Sequence, residues 1–299
     1  MPGRFATIFV PYRTSPLTRA ARLEHSSTPT PNTPMRTNPV KRKLREGKPS
    51  FGTWLAYGDL YATRVLARMG WDWLTLDMEH SAIDWSQATS IFGCIADAGC
   101  VPLARVPEGS HHYIKRVLDA GAWGIVVPMV DTVEQARTAI RAAKYPPVGN
   151  RSIGGGMHSM NFGTTALEYY EKWNDEVLVV LQTESPQGVA NAEAIYAEKG
   201  CDAIFVGPND LRWQMRKEGA PPPTEAEFEK MIDGVVAAGK KTGCPTGIHA
   251  MDVESALMRA KQGMQFIAVA SDLRFMSQAA QAALKAVNPE ASGKEVARY

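Results

Sequence analysis

One pattern recurs from residue 48 onward and limits what this chain can fold into. A helical segment ends in glycine, and an apolar run of four to seven residues begins two or three residues later. A glycine there ends a helix in the left-handed conformation at little cost, and a β-branched run after it suits a strand buried on both faces. Each repeat is therefore one helix-to-strand step. The glycines are Gly70, Gly99, Gly121, Gly200, Gly243 and Gly263.

The pattern contains eight apolar runs, which we predict to be strands. Amphipathic helices lie between them, with start signals such as the capping box of Asp84 and Gln87. Such alternation predicts a parallel sheet, and eight units close into an α/β fold of the (β/α)8 TIM barrel type. A doubly wound open sheet would need a Gly-rich phosphate loop after its first strand, and residues 58–60 are not one. The predicted strands are 52–55, 73–76, 101–104, 124–127, 177–182, 203–206, 245–248 and 266–269.

Composition argues against two classes of partner. The hydrophobic fraction of 44% and charged fraction of 21% are typical of a soluble globular protein, and no stretch approaches the roughly 18 apolar residues of a membrane span. Residues 1–43 hold eight Lys or Arg against one acid, which leaves 25 basic and 30 acidic residues in the remainder. Duplex binding normally requires a clustered basic face. We therefore expect neither a membrane nor a nucleic acid as partner.

The two ends of the chain have the composition of tails. Residues 26–39 are rich in Ser, Thr, Pro and Asn, which predicts a disordered tail at 1–43, a barrel at 44–288 and a C-terminal tail at 289–299. Residues 1–23 are poor in acids and contain several arginines, a composition compatible with a mitochondrial presequence or with a solvated tail. The four cysteines show no C-x-x-C spacing, so we expect free thiols in a reducing, cytoplasmic compartment, with mitochondria as the alternative.

Polar residues that directly follow the apolar runs mark the candidate site, because the carboxyl ends of barrel strands converge on one face. Glu184 and Asp210 follow strands that are neighbours, about 4.8 Å apart, so they can share one cation. Arg105 and the pair Asp77 and His80 follow another two neighbouring strands. Two carboxylates without a Cys or His cluster suit a hard cation such as Mg²⁺ or Mn²⁺ that keeps positions open for water and substrate.

Each of these residues has a structural alternative. Asp210 could cap the following helix, Asp77 and Glu184 could be charges at the barrel rim, and Arg105 could be a salt-bridge partner there. Their joint occurrence on the face that barrels use for catalysis favours a functional site. None of the fourteen lysines lies in a predicted strand or at its carboxyl end, which disfavours a Schiff-base aldolase. An excursion at 145–175 is long for such a domain, and loops of that length are usually functional.

Five segments, taken together, resemble the HpcH/HpaI aldolase and citrate lyase family, over nearly everything after about residue 41. The family includes 4-hydroxy-2-oxoheptanedioate aldolases, 2-keto-3-deoxy-sugar-acid aldolases and fungal macrophomate synthase. The resemblance implies a TIM barrel of the phosphoenolpyruvate/pyruvate-domain type. The segments are FGTWL at 51–55, DMEH at 77–80, YPPVGNR at 145–151, QTE at 182–184 and VGPNDL at 206–211.

The resemblance also implies roles for the candidate residues. Glu184 and Asp210 would ligate Mg²⁺, or Mn²⁺ or Co²⁺ in its place. Arg105 would contact the keto oxygen of the substrate. His80, oriented by Asp77, would transfer protons.

Five further positions are implied to lie near the substrates. Gln182 and the backbone around Gly207 and Asn209 would be near the substrate carboxylate. Trp54 would lie at the pocket wall and Tyr169 near a second substrate, although both could equally be packing residues. Residues 183 and 212–213 depart from the common family pattern, so the resemblance does not indicate which acceptor the pocket would bind.

The implied activity is that of a class II, metal-dependent aldolase, a carbon–carbon lyase. It would cleave or form 4-hydroxy-2-oxo acids through a pyruvate enolate, with a 2-oxo acid and an aldehyde as substrates. Oxaloacetate decarboxylation would leave the same enolate. The alternatives are a condensing enzyme like macrophomate synthase, a citryl- or malyl-CoA lyase, for which we see no clear basic cleft, and a barrel that binds a 2-oxo acid without turnover.

The resemblance implies an assembly as well. Members of the family usually form a homo-hexamer, a trimer of dimers, in which a C-terminal helix packs on a neighbouring barrel. In this chain that helix would be the segment 273–287. We therefore expect a homo-oligomer with this helix exchanged between subunits.

Overall fold

Eight parallel strands pair in sequence order, and β8 pairs with β1 to close the barrel. The computed structural model describes residues 34–290. The strands are β1 (Ser50–Leu55), β2 (Trp73–Asp77), β3 (Val101–Arg105), β4 (Gly124–Val127), β5 (Leu178–Thr183), β6 (Ala203–Val206), β7 (Thr246–Ala250) and β8 (Phe266–Ser271). The helices are α1 (Pro39–Arg45), α2 (Leu60–Leu66), α3 (Trp85–Asp97), α4 (His111–Asp119), α5 (Val133–Ala143), α6 (Ala166–Glu176), α7 (Pro186–Ala190), α8 (Ala192–Tyr196), α9 (Pro208–Gln214), α10 (Glu225–Thr242), α11 (Val253–Lys261) and α12 (Asp272–Val287).

The predicted barrel is confirmed. Each strand overlaps its predicted run and differs from it by at most two residues at either end. The six glycines that were expected to end helices all have positive φ, between 73° and 111°, a conformation that a side chain would strain. The capping box of Asp84 and Gln87 is present at the start of α3. Local signals at the helix ends thus indicate where six of the eight strands begin.

Four aromatic rings from different strands fill the barrel interior. Trp73 stacks on Phe266 with ring centroids 4.3 Å apart, and Trp54 stacks on Phe205 at 4.9 Å. All four side chains are at most 1% exposed. Gly52 makes room for them, because a Cβ there would collide with the indole of Trp73. The interior is a packed core, and open space is confined to the ends of the barrel.

Helix α1 begins inside the segment predicted to be a disordered tail and ends two residues beyond it. Val40 and Leu44 are four residues apart on one helical face, and both are buried. The Nζ of Lys41 is buried as well, 3.0 Å from Asp202. The prediction of a disordered tail is therefore wrong for residues 34–43, because the polar composition of the segment concealed a short amphipathic helix.

Parts of both predicted tails lie outside the described residues. These parts are residues 1–33, which include the segment considered as a presequence, and residues 291–299. Among residues 34–290, no helix is both long and apolar enough to cross a membrane.

Helix α12 projects apolar side chains away from the barrel. Asp272 is its buried residue, whereas Met276, Leu284 and Val287 are exposed, the last by 82%. An apolar face of this kind suits contact with another surface. The packing of α12 on a neighbouring barrel stays a prediction.

The excursion between α5 and β5 is built around a buried arginine. The Arg151 guanidinium carbon lies 4.7 Å from the ring centroid of Tyr145 and 4.8 Å from that of Trp173, and its Nη2 donates to Asp119 at 2.7 Å. Its Nη1 donates to the hydroxyl of Tyr169, which is fully buried. Tyr169 is therefore packed inside this aromatic cluster, the second of the two roles predicted for it, and its place near a second substrate stays a prediction.

Candidate active site

A cavity of about 210 Å³ lies at the carboxyl ends of the strands, on the face that the sequence predicted. Six of the ten predicted site residues line it, and none of its lining residues comes from the excursion between α5 and β5. The cavity is at the small end for a ligand pocket and suits a short-chain substrate. Its lining residues are His80, Arg105, Gln182, Phe205, Gly207, Pro208, Asn209, Asp210, His249 and Met251.

Glu184 follows β5 and is buried against the cavity. Its Oε1 accepts the backbone N–H of Met129 at 2.7 Å, and its Oε2 accepts a hydrogen bond from Gln182 Nε2. Burial raises the pKa of Glu184 to about 7, and the negative charges of Asp210 and Glu79 act in the same direction, while the two hydrogen bonds lower it. The carboxyl is thus held among like charges, a position that a cation would stabilise.

Gly207 brings the backbone after β6 against this carboxylate. A Cβ at Gly207 would collide with Glu184 Oε2 and lie 2.8 Å from Gln182 Nε2. The buried Oε1 of Gln182 has no hydrogen-bond partner among the described residues. Glu184, Gln182 and the backbone at 207 are therefore packed so closely that no side chain larger than that of glycine fits at 207.

Arg105 ends β3 and joins two acidic side chains from the end of β2. Its Nε and Nη2 donate to the Asp77 carboxylate at 3.0 and 2.6 Å, and Nε lies 3.2 Å from Glu79 Oε2. The register of β2 and β3 pairs Asp77 with Arg105, and both are buried. A bidentate pair in such surroundings fixes the guanidinium strongly. Arg105 is therefore a rigid positive charge at the cavity.

His80 lies at the rim of the cavity with its side chain 54% exposed. The carboxylate of Asp77 accepts the backbone N–H of His80 at 3.3 Å, and the imidazole Nε2 lies 3.7 Å from Glu79 Oε2. Asp77 therefore holds the main chain at His80, and Glu79 is a second carboxylate beside the ring. That Asp77 orients the imidazole stays a prediction.

Glu79 is a site residue that the sequence reasoning missed. Burial raises its pKa to about 7, the Arg105 guanidinium opposes this, and the charges of Asp77 and Asp210 add to it. A signal was present, because side chains two residues apart in an extended chain point to the same side, and Glu79 lies two residues after Asp77. Glu79, Glu184 and Asp210 thus repel one another across the cavity.

Trp54 lies below the cavity. Its indole is 1% exposed and stacks on Phe205 and His249, with centroids 4.9 and 5.2 Å apart. The guanidinium carbon of Arg105 lies 5.7 Å from the centroid of the same ring. Phe205 and His249 line the cavity and Trp54 does not, so the structure favours the packing role that was the alternative for Trp54. Neither of these two was singled out from the sequence.

The residues present fit a divalent cation. Mg²⁺ is usually held by one or two carboxylates and completes its octahedron with water and substrate oxygens. Glu184 and Asp210 supply the carboxylates, and the negative charges of Asp210 and Glu79 act on Glu184. Among residues 34–290 no group of three or more His, Cys, Asp or Glu side chains is already arranged around one point. With two carboxylates as its ligands, a cation here would keep positions open for water and substrate.

The raised pKa of Glu184 predicts how the metal-free protein responds to pH. The folded protein binds this proton more tightly than the unfolded chain does, so its stability falls as pH rises from the ordinary value of 4.5 to about 7. Glu184→Gln removes the effect, and a flip of the Gln182 amide satisfies the new donor. In EDTA we expect Glu184→Gln to melt above the wild type at pH 8 and to lose that advantage at pH 5, measured by calorimetry. An equal difference at both pH values would contradict the assignment.

Comparison with known proteins identifies the family. Residues 50–279 match the HpcH/HpaI aldolase/citrate lyase family. The chain is 37% identical over 257 residues to the hydroxypyruvate/pyruvate aldolase of Paraburkholderia phytofirmans. The alignment covers 84% of this chain and 98% of that protein. It is 34% identical over 245 residues to the 2-keto-3-deoxy-L-rhamnonate aldolase of Klebsiella pneumoniae, with 81% and 90% covered.

A solved structure supports the same assignment. The crystal structure of an HpcH/HpaI aldolase/citrate lyase family protein from Burkholderia cenocepacia matches this fold with a TM-score of 0.78 and 35% sequence identity. The match covers 84% of this chain and 99% of that one. The family resemblance seen in the five sequence segments is thereby confirmed. This chain belongs to the HpcH/HpaI aldolase/citrate lyase family.

Proposed function

We propose that this protein is a divalent-metal-dependent aldolase that cleaves or forms 4-hydroxy-2-oxo acids, with Glu184 and Asp210 as metal ligands. The observation that carries the proposal is the set of mutually repelling carboxylates beside a fixed guanidinium at one small cavity. The names of the relatives, a hydroxypyruvate/pyruvate aldolase and a keto-deoxy-sugar-acid aldolase, support a short 2-oxo acid as the nucleophile.

The chemistry of the proposal needs a stabilised enolate. A bound divalent cation would supply Lewis acidity toward the oxygens of a 2-oxo acid. Arg105 holds a permanent positive charge at the cavity, where negative charge develops on the keto oxygen, and its pairing with Asp77 keeps it in place without reorganisation. Gln182 and Asn209 line the same space and can bind the substrate carboxylate.

We assign proton transfer to His80, which lies at the rim of the cavity. The aldol hydroxyl must lose a proton during cleavage and gain one during synthesis. Imidazole suits this task near neutral pH, and His80 lies at the rim with Glu79 3.7 Å away. The half-exposed position gives water access to the ring, so the proton can pass between the substrate and solvent through His80.

The test is a coupled assay of pyruvate release from 4-hydroxy-2-oxo acids. Protein stripped with EDTA is expected to be inactive, and added Mg²⁺, Mn²⁺ or Co²⁺ is expected to restore cleavage. Oxaloacetate should also be decarboxylated, because loss of carbon dioxide leaves the same pyruvate enolate. Cleavage of citryl- or malyl-CoA in place of hydroxy-oxo acids, or stabilisation by 2-oxo acids without turnover, would overturn the proposal.

A further inference from the structure

His249 lies in the catalytic cavity and has no part in the mechanism above. It is on β7, and its ring stacks on Trp54, with centroids 5.2 Å apart, and lies 6.3 Å from Phe205. The cavity is lined by this ring together with Arg105. A polar ring enclosed by aromatic neighbours loses hydration on folding, which is costly unless its nitrogens are used. The two ring nitrogens of His249 have different surroundings.

One nitrogen is used by the backbone. Nε2 lies 2.7 Å from the carbonyl oxygen of Ala270. A carbonyl oxygen only accepts, so Nε2 carries the hydrogen and donates it. Ala270 has φ of 51°, an uncommon conformation for a residue with a side chain, and it presents this carbonyl from the end of β8. The backbone thus fixes both the tautomer and the orientation of the ring.

The other nitrogen is left as an acceptor. Burial lowers the pKa of His249 to about 4, and the positive charge of Arg105 lowers it further. The hydrogen bond that Nε2 donates to the Ala270 carbonyl raises the pKa without outweighing burial, so the ring is neutral near pH 7. With hydrogen on Nε2, Nδ1 of the neutral ring has a lone pair and no hydrogen. Among the described residues, the hydrogen bond of the His249 ring is the one that Nε2 makes with Ala270. Nδ1 is thus an oriented acceptor on a ring that lines the cavity, where a ligand can offer it a donor.

We infer that His249 Nδ1 accepts a hydrogen bond from a hydroxyl group of the substrate and makes the enzyme prefer a hydroxylated substrate over its deoxy counterpart. The inference rests on the proposed aldolase function. The carboxylate and keto oxygens of a 2-oxo acid are acceptors, so they cannot satisfy Nδ1, whereas a hydroxyl can. That hydroxyl belongs to the nucleophile, as in hydroxypyruvate, or to the aldehyde, as in glycolaldehyde.

The experiment compares matched substrates in the synthetic direction with Mg²⁺ present. One arm pairs hydroxypyruvate or pyruvate with a common aldehyde, and the other pairs glycolaldehyde or acetaldehyde with a common 2-oxo acid. Each arm gives a hydroxyl preference, the ratio of the two kcat/KM values. We expect the wild type to show a preference in at least one arm. In His249→Phe, which keeps a stacking ring without an acceptor, that preference should fall by roughly tenfold.

A matched variant separates the acceptor from the shape of the ring. His249→Asn places a side-chain oxygen where Nδ1 lies, so it should retain most of the preference that His249→Phe loses. His249→Leu provides a second apolar variant if the phenyl ring prevents folding, which a melting curve will show. The arm in which the preference falls identifies which substrate bears the hydroxyl.

Several outcomes would overturn the inference. A wild type with no preference in either arm would do so, as would a preference that survives in both His249→Phe and His249→Leu. If the wild type has no aldolase activity, the proposed function fails, and calorimetric titration of hydroxypyruvate and pyruvate then tests His249 separately. Selectivity in binding that is the same in the wild type and His249→Phe would overturn the inference there.

Discussion

Asp210→Asn is expected to lower kcat/KM for metal-supported cleavage by about a thousandfold or more. The substitution keeps the size of the side chain and removes one of the two anionic ligands proposed for the cation. A bound cation contributes several kcal/mol to stabilising the transition state, and each 1.36 kcal/mol is about tenfold in rate. Loss of that contribution therefore exceeds the effect expected for any single hydrogen bond at the site. The measurement is kcat/KM across a titration of Mg²⁺.

A matched control removes a carboxylate from a comparable position. The Asp84 side chain caps the N-terminus of α3, where it accepts the backbone N–H of Gln87. Asn caps a helix about as well as Asp. Asp84→Asn should therefore retain wild-type kcat/KM and an unchanged metal dependence. If Asp210→Asn also retained wild-type activity, Asp210 would be no more than a residue of the first turn of α9.

Arg105→Ala is expected to lower both activity and stability. Removal of the guanidinium takes its two hydrogen bonds away from the buried Asp77 carboxylate, a change that typically costs about 3–5 kcal/mol of unfolding free energy. Activity should fall by about a hundredfold or more, because the fixed positive charge at the cavity is lost. Urea denaturation measures the first effect, and the aldolase assay measures the second.

The control for Arg105 is an arginine with the same pairing geometry at the surface. Arg137 donates to both oxygens of Glu198 through Nε and Nη2, and its side chain is 58% exposed. Arg137→Ala should leave the urea midpoint close to that of the wild type, because water screens such pairs. Equal stability losses for Arg105→Ala and Arg137→Ala would show that burial of the Asp77 pair has no energetic weight.

Arg105→Lys separates charge from geometry. Lysine retains the positive charge but lacks the planar fork that pairs with two carboxylate oxygens. We expect stability between those of the wild type and Arg105→Ala, with activity still well below the wild type. Wild-type activity in Arg105→Lys would reduce the role of Arg105 to its charge alone.

The barrel could be predicted from sequence because its signals are local. A glycine such as Gly121 ends a helix whatever its tertiary surroundings, and a β-branched run such as 124–127 shows burial on both faces in its own composition. The same rule located most of the site, since residues that follow barrel strands meet at one face. Arg105 and Asp210 needed no further information to be placed at one cavity.

The sequence says less where tertiary packing decides the outcome. The buried position of Tyr169 depends on the charge of Arg151, which no local pattern shows. Trp54 and His249 lie on strands whose side chains point inward, but how deep each ring lies is set by the strand register. The first residues of α1 fall within the predicted tail because a single apolar side chain such as Val40 carries little weight in a polar composition.

The most direct test of the central claim is a titration of metal-stripped protein with Mn²⁺ in the presence of pyruvate. Electron paramagnetic resonance measures how much of the Mn²⁺ is bound. The wild type should bind a single ion per chain, and Glu184→Gln and Asp210→Asn should each weaken binding by about a hundredfold, since each removes a negatively charged oxygen ligand. Binding of Mn²⁺ with equal affinity by the wild type and both variants would contradict the claim that these two carboxylates hold the catalytic cation.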